Sequence, residues 1–327
     1  MLKVMKKIVR RLPFYKKLPH SFYTRLDPAQ IKLIERMKED NLKTHAPYKP
    51  SALIWEWLSN HLEKQIHIDG PDPENSVINH WFASHMPGHK KYYFFAVWNL
   101  YQRLKERDQF GVFEKVKPSA TKNDQSLIVI DDIPLSWDYL LSAQSALGLL
   151  EIDPSLLTEN KTILEIGAGW GRLAHFMTTL NPQLNYIIAD IPLTLFVAQH
   201  YLSKILPNNI AFNYSTTRNM NQIDDKILKE KTGISFIGTH CIPLIQPNTV
   251  DLSINIASFQ EMELENIELY MEDINRFSKS CYLLQRKISD QASFDFYIQV
   301  SNKLNWKKRL RRETEFSPGY EEAFFDI

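Results

Sequence analysis

Apolar side chains change their period once along this chain, near Lys161. Before that point the spacing is helical. Residues 51–68 (SALIWEWLSNHLEKQIHI) place apolar side chains at i, i+3 and i+4, which is one face of a helix. The aromatic-rich stretch 76–107 reads as two helices broken at Pro87-Gly88, the second being KKYYFFAVWNLYQRLKER. Asp27-Pro28 predicts a helix start, with Asp as the cap and Pro in the first turn. Gly70-Pro71-Asp72-Pro73 predicts a turn, and 117–126 a polar loop. A further helix over about 136–150 leads into the second half.

From Lys161 onward, short apolar runs alternate with amphipathic ones. TILEIGAG, NYIIADI, ISFIGTH, VDLSINIASF and CYLLQRK read as buried strands. GRLAHFMTTL, TLFVAQHYLSKIL and ENIELYMEDINRF read as the helices between them. Alternation of this kind predicts a parallel sheet with right-handed crossovers. A polar insert at about 208–232 interrupts it. The expected division is a helical region over 1–135 and an α/β unit over 136–327.

Composition narrows the partners. The chain has 327 residues, a formal net charge of +1, 44% hydrophobic and 24% charged residues. That balance fits a soluble globular protein and gives no global reason to expect nucleic acid. Two cysteines, Cys241 and Cys281, make no disulfide framework and read as small buried hydrophobes. No run of residues is long and apolar enough to span a bilayer, so a cytoplasmic location is the expectation. The first 20 residues carry seven Lys/Arg and no acid, with apolar residues at helical spacing between them. A solvated arm is the favoured reading; weak contact with the inner face of an anionic membrane is the other.

The informative run is Leu164-Glu165-Ile166-Gly167-Ala168-Gly169-Trp170-Gly171-Arg172. Residues without Cβ in a strand-to-helix turn let a ligand approach the backbone, and the helix start offers free N–H groups. A dinucleotide site needs Gly or Ala at the sixth position, where Arg172 stands. Glu165, just before the glycines, would repel a pyrophosphate and suits a cationic ammonium or sulfonium group. A second acid, Asp190, closes the next strand, where a carboxylate can accept both ribose hydroxyls.

This constellation resembles the class I S-adenosylmethionine-dependent methyltransferases over about residues 140–285. More narrowly, ADIPL at 189–193, VAQHYL at 197–202 and SFQEM at 258–262 resemble the NanM-type sugar O-methyltransferase family. The resemblance implies a Rossmann-like, seven-stranded sheet closed by a hairpin from the C-terminal WKKRLRRETEF and YEEAFFDI runs. It implies S-adenosyl-L-methionine held by Glu165, Gly167, Ala168, Gly169, Gly171 and Asp190, with Ile191 and His240 near adenine. It also implies sugar O-methylation, in a surface-polysaccharide context.

Methyl transfer to a hydroxyl needs a proton acceptor. Glu261 and His240 are the candidate bases, with Asn255 as an orienter. No metal ligand set is read from the sequence, although a metal could assist. His80, His85 and His89 read as structural, with substrate binding as the alternative. Trp81, Tyr92, Tyr93, Phe94, Phe95 and Trp98 read as core, with a sugar platform as the alternative. The acceptor is expected to be a small sugar or glycan. The rivals are another small molecule, RNA, or a non-catalytic scaffold that keeps the fold. Nothing in the sequence speaks to oligomeric state.

Overall fold

The structure, a computed structural model, describes residues 25–43, 54–71, 90–118, 127–289, 292–314 and 319–327. The basic arm over 1–20, His80, His85, His89 and Trp81 lie outside the described residues.

The N-terminal region begins with α1 (Pro28–Lys43). Asp27 Oδ1 accepts from Ala29 N and Gln30 N at 2.8 and 2.9 Å, and Gln30 Oε1 accepts from Asp27 N, so the start is a reciprocal cap. α2 (Ile54–Asp69), α3 (Lys90–Arg107) and the single turn α4 (Val112–Lys115) follow. The region is not wholly helical. β1 (Ile128–Ile130) and β2 (Ile133–Leu135) form an antiparallel hairpin. Its turn residues Asp131 and Asp132 both have positive φ, which matches the twist of a tight hairpin.

α5 (Trp137–Ile152) starts on Ser136, whose side chain accepts from Tyr139 N. Nearly every position beyond its first turn is buried. β3 (Thr162–Ile166), α6 (Arg172–Leu180), β4 (Asn185–Asp190) and α7 (Pro192–Ile205) are the first two strand–helix units. The polar insert folds into β5 (Ile210–Phe212) and two short helices, α8 (Tyr214–Thr217) and α9 (Asp225–Glu230). Then come β6 (Gly233–Gly238), β7 (Leu252–Ile256), α10 (Leu264–Phe277), β8 (Ser280–Arg286), α11 (Phe294–Lys303), β9 (Lys307–Glu313) and β10 (Tyr320–Asp326).

The large sheet runs β5-β6-β4-β3-β7-β8-β10-β9. All pairs from β5 to β8 are parallel, and β10 is antiparallel to both β8 and β9. The closing hairpin is therefore present, and the short β5 adds an eighth strand at the edge. The opposite edge, β9, is exposed along nearly its whole length, and its lysines and arginines block further pairing. The chain is α/β with a Rossmann-like, mostly parallel central sheet.

Two apolar clusters cover the sheet. One holds Ile163, Tyr186, Ile188, Phe236 and Tyr282 together with side chains of α1, α2, α3, α5, α6 and α7. The other holds Leu164, Ile187, Ile237 and Leu283 with α10 and α11. Strand alternation assigns each acid to a face. Glu165 is two residues from Ile163, and Asp190 two from Ile188, so both acids lie on the α5–α6–α7 side.

Candidate active site

Parallel strands bring the carboxyl ends of β3, β4, β6, β7 and β8 to one edge. Ligands of open α/β sheets bind there. The loop after β3 is set by three glycines, all left-handed, with φ of 73°, 61° and 81° at 167, 169 and 171. Their reasons differ. A Cβ on Gly167 would sit 2.5 Å from Ser258 Cβ, in the loop after β7, so this glycine makes room for the protein itself. A Cβ on Gly171 would meet Leu202 Cδ1 of α7 at 2.6 Å, which is helix packing. Nothing lies within 4 Å of a Cβ built on Gly169, so that side of its backbone faces open space.

Asp190 and Glu165 are both buried. Asp190 accepts from Gly169 N at 2.7 Å, its neighbour Ile191 N at 2.7 Å and Thr194 Oγ1 at 2.6 Å. It therefore fixes the glycine turn and the start of α7 at once. A carboxylate has about four acceptor sites, so roughly one remains for a ligand. That is less than the two-hydroxyl grip the sequence suggested. Glu165 Oε2 accepts from Tyr186 Oη at 2.8 Å. Burial pushes Glu165 up to about 7, with the nearby Asp190 charge adding to the effect, while the Tyr186 hydrogen bond and Arg172 oppose it. Burial likewise raises Asp190 to about 6, against its three hydrogen bonds. Burial thus brings the titration of both carboxyls close to neutral pH.

Arg172, at the position that disfavours a dinucleotide, ties the turn to α5. It lies 3.3 Å from Asp138 and over the Trp170 ring at 4.7 Å. Trp170 stacks edge-on against Tyr201 of α7. Ala168 and Ile191 flank the turn, half-buried.

His240 follows β6, whose last residue, Gly238, is the register partner of Asp190. Its ring occupies the space a Cβ on Gly238 would need, with Nδ1 at 2.6 Å from that position. Burial lowers its pKa, with the Asp40 charge opposing. The buried Trp170 Nε1 and His240 Nδ1 have no hydrogen-bond partner among the described residues. Together with the space at Gly169, these orphaned atoms fit a bound nucleoside with polar edges.

On the β7–β8 side the residues satisfy one another. Asn255 Nδ2 donates to Ile166 O at 2.7 Å, and its Oδ1 accepts from Phe259 N at 2.9 Å. Gln285 Nε2 donates to Asn255 Oδ1 at 2.6 Å and to Asn255 O at 3.1 Å. Gln285 Oε1 accepts from Gln260 N, and Gln260 Oε1 from Arg286 N at 2.8 Å. This brace carries the strained residue Ala257, a non-glycine with φ 54°, and the short turn Phe259–Glu261 that presents Glu261. The side chain of Asn255, the expected orienter, is engaged by these protein groups. Gln260 and Gln285 carry no signal of this role in the sequence, although Gln285 is the lone amide of β8.

Both cysteines are buried and unpaired, as expected. Tyr93 is buried, whereas Tyr92, Phe94, Phe95 and Trp98 are exposed on α3, so most of that aromatic group is not core. A polar cavity of about 110 Å³ lies elsewhere, lined by Arg107, Gln144, Tyr282, Arg312 and Glu322, among others. None of its lining residues belongs to the glycine turn. No helix among the described residues is long and apolar enough to cross a membrane. No cluster of three metal-ligating side chains occurs among the described residues.

No family model matches the chain, and no curated protein matches it. Solved structures do. The pyocyanin biosynthetic protein PhzM is similar at 12% identity and a TM-score of 0.41, over 57% of this chain and 56% of that one. The match thus spans little more than half of PhzM. Magnesium protoporphyrin IX methyltransferase (ChlM) from Synechocystis PCC 6803, with bound SAM, is similar at 13% identity and TM-score 0.41, over 67% of this chain and 89% of that one. A SAM-dependent methyltransferase from Aquifex aeolicus is similar at 15% identity and TM-score 0.37, over 54% of this chain and 88% of that one.

Proposed function

We propose that this chain is an S-adenosylmethionine-dependent O-methyltransferase whose acceptor is a small hydroxyl compound, a sugar being the favoured class. The observation that carries the reading is the pair Glu165 and Asp190, buried on one sheet face beside the open backbone at Gly169. A dinucleotide would set its pyrophosphate against these acids, whereas a sulfonium nucleoside would set a cation there.

Asp190 holds the glycine turn through Gly169 N and offers its remaining acceptor site to a ribose hydroxyl. Glu165 supplies negative charge beneath the turn. Ile191 and His240 flank the base. When bound, S-adenosylmethionine supplies a methyl group already activated by its positively charged sulfur. The protein's task is then to align the acceptor and receive its proton. Glu261, on the turn after β7, is the first candidate for that proton, and His240, kept neutral by burial, is the second. The amide brace under Glu261 keeps its turn in place. The sugar preference comes from the resemblance of the SFQEM and ADIPL runs. A surface-polysaccharide setting, and work at the inner face of a membrane through the basic N-terminus, belong to the same reading.

Calorimetric titration of S-adenosylhomocysteine into the wild type and Asp190→Ala tests the reading. Micromolar affinity, about −8 kcal/mol, is expected for the wild type. The variant should bind more weakly by roughly 1–3 kcal/mol. Equal affinity in the two proteins removes Asp190 from the site.

A further inference from the structure

Three segments distant in sequence meet at the tip of β6. The first is the end of α1, with Asp40 and Asn41. The second is the polar insert, with Tyr214 on α8 and Arg218 just after it. The third is the turn following β6, with Thr239 and His240. Asp40 is the centre of the group. Arg218 grips it with two nitrogens, Nε to Oδ2 at 2.6 Å and Nη2 to Oδ1 at 2.8 Å. Tyr214 Oη donates to Asp40 Oδ2 at 2.9 Å. A forked guanidinium–carboxylate pair fixes orientation as well as distance. Next to it, Thr239 Oγ1 and Asn41 Oδ1 are 3.4 Å apart.

The grip reaches the nucleoside side of the site. The Tyr214 ring meets the His240 ring edge-on, with centroids 6.3 Å apart. Tyr214 is fully buried, and its backbone N donates to Gln199 of α7 at 2.7 Å. His240 is thus confined between Tyr214 and the space above Gly238, and Gly238 is the register partner of Asp190.

We propose that Asp40 is a positioning residue of the nucleoside site: by holding Arg218 and Tyr214 it fixes the His240 ring, so that α1, outside the α/β half, completes the wall against the base. This rests on the methyltransferase reading, because it takes His240 to face the base of a bound nucleoside. A surface ion pair would have little effect on a ligand. This pair matters because it fixes the orientation of the contacts among three segments that meet at one strand tip.

The test is calorimetry with S-adenosylhomocysteine and with 5′-methylthioadenosine, which lacks the amino-acid end. The proteins are the wild type, Asp40→Asn, His240→Ala, the double variant and Arg218→Lys. Asp40→Asn is expected to weaken both ligands about equally, on the order of tenfold. Arg218→Lys should do the same, because a lysine cannot make the fork. On the His240→Ala background, Asp40→Asn should change affinity by less than twofold, since its effect passes through that ring. Thermal melting confirms that each variant is folded. Should the wild type bind neither ligand, the methyltransferase reading falls and this proposal with it. Binding by the wild type with unchanged affinity in Asp40→Asn overturns the positioning role alone. So does an undiminished effect of Asp40→Asn when His240 is absent.

Discussion

The two halves of the strand-tip edge are built on opposite principles. Around β3, β4 and β6, buried acids stand beside backbone that lacks side chains, and some polar atoms there have no partner among the described residues. Around β7 and β8, buried amides satisfy one another and clamp the Ser258–Glu261 loop. The first arrangement leaves binding capacity unspent and sacrifices stability, since burying a carboxylate disfavours its charged form. The second removes freedom without leaving a charge buried. A ligand that brings positive charge gains from the first. A reaction that needs an acceptor held in line gains from the second.

The sharpest way to break this contrast is at the seam between the halves. Gly167→Ala should destabilise the fold by roughly 3–5 kcal/mol, through a clash with Ser258 added to left-handed strain. Chemical denaturation measures it. Gly169→Ala has equal strain and no clash, so its folding penalty should stay near about 1–2 kcal/mol, with its main effect on ligand affinity. Next in size is Gln285→Leu. It strands the Gln260 N–H and takes one donor each from Asn255 Oδ1 and Asn255 O, and it should lower stability by about 3 kcal/mol while leaving cofactor affinity within a few-fold. A large loss of cofactor affinity there would merge the two halves into one unit.

The acid side predicts the opposite sign. Glu165 has a folded pKa of about 7 against an ordinary 4.5. A carboxyl raised in this way leaves stability intact below the lower value, and stability is then lost as pH rises toward the higher one. Glu165→Gln should therefore stabilise the ligand-free protein at pH 8 by roughly 1–3 kcal/mol and have little effect near pH 4. Melting curves at the two pH values decide this. A variant that is destabilised at pH 8 would show that the charge is compensated in the fold.

Much of this was legible in the sequence, and the exceptions share a cause. The change of period at Lys161 announced the sheet, and the glycines between Glu165 and Asp190 announced the turn at its carboxyl edge. Those signals are local: each lies in a run of a few residues whose spacing implies a shape. Gln285 and Asp40 gave no such signal. Their meaning comes from partners 30 and 178 residues away, Asn255 and Arg218. The polar insert reads only as an interruption of the alternation because its apolar residues are sparse, yet Tyr214 from it is wholly buried. The strand-end position of Asp190 was plain in the sequence, whereas the three donors that occupy it come from the fold.

The central claim is that the acid side holds a cation. The direct measurement is the affinity for S-adenosylmethionine by calorimetry between pH 5 and pH 8. A bound cation favours ionised carboxyls, so affinity should rise as pH increases through about 6 and 7, the values of Asp190 and Glu165, and then level off. Binding that stays constant across that range, or no binding at any pH, would contradict the account.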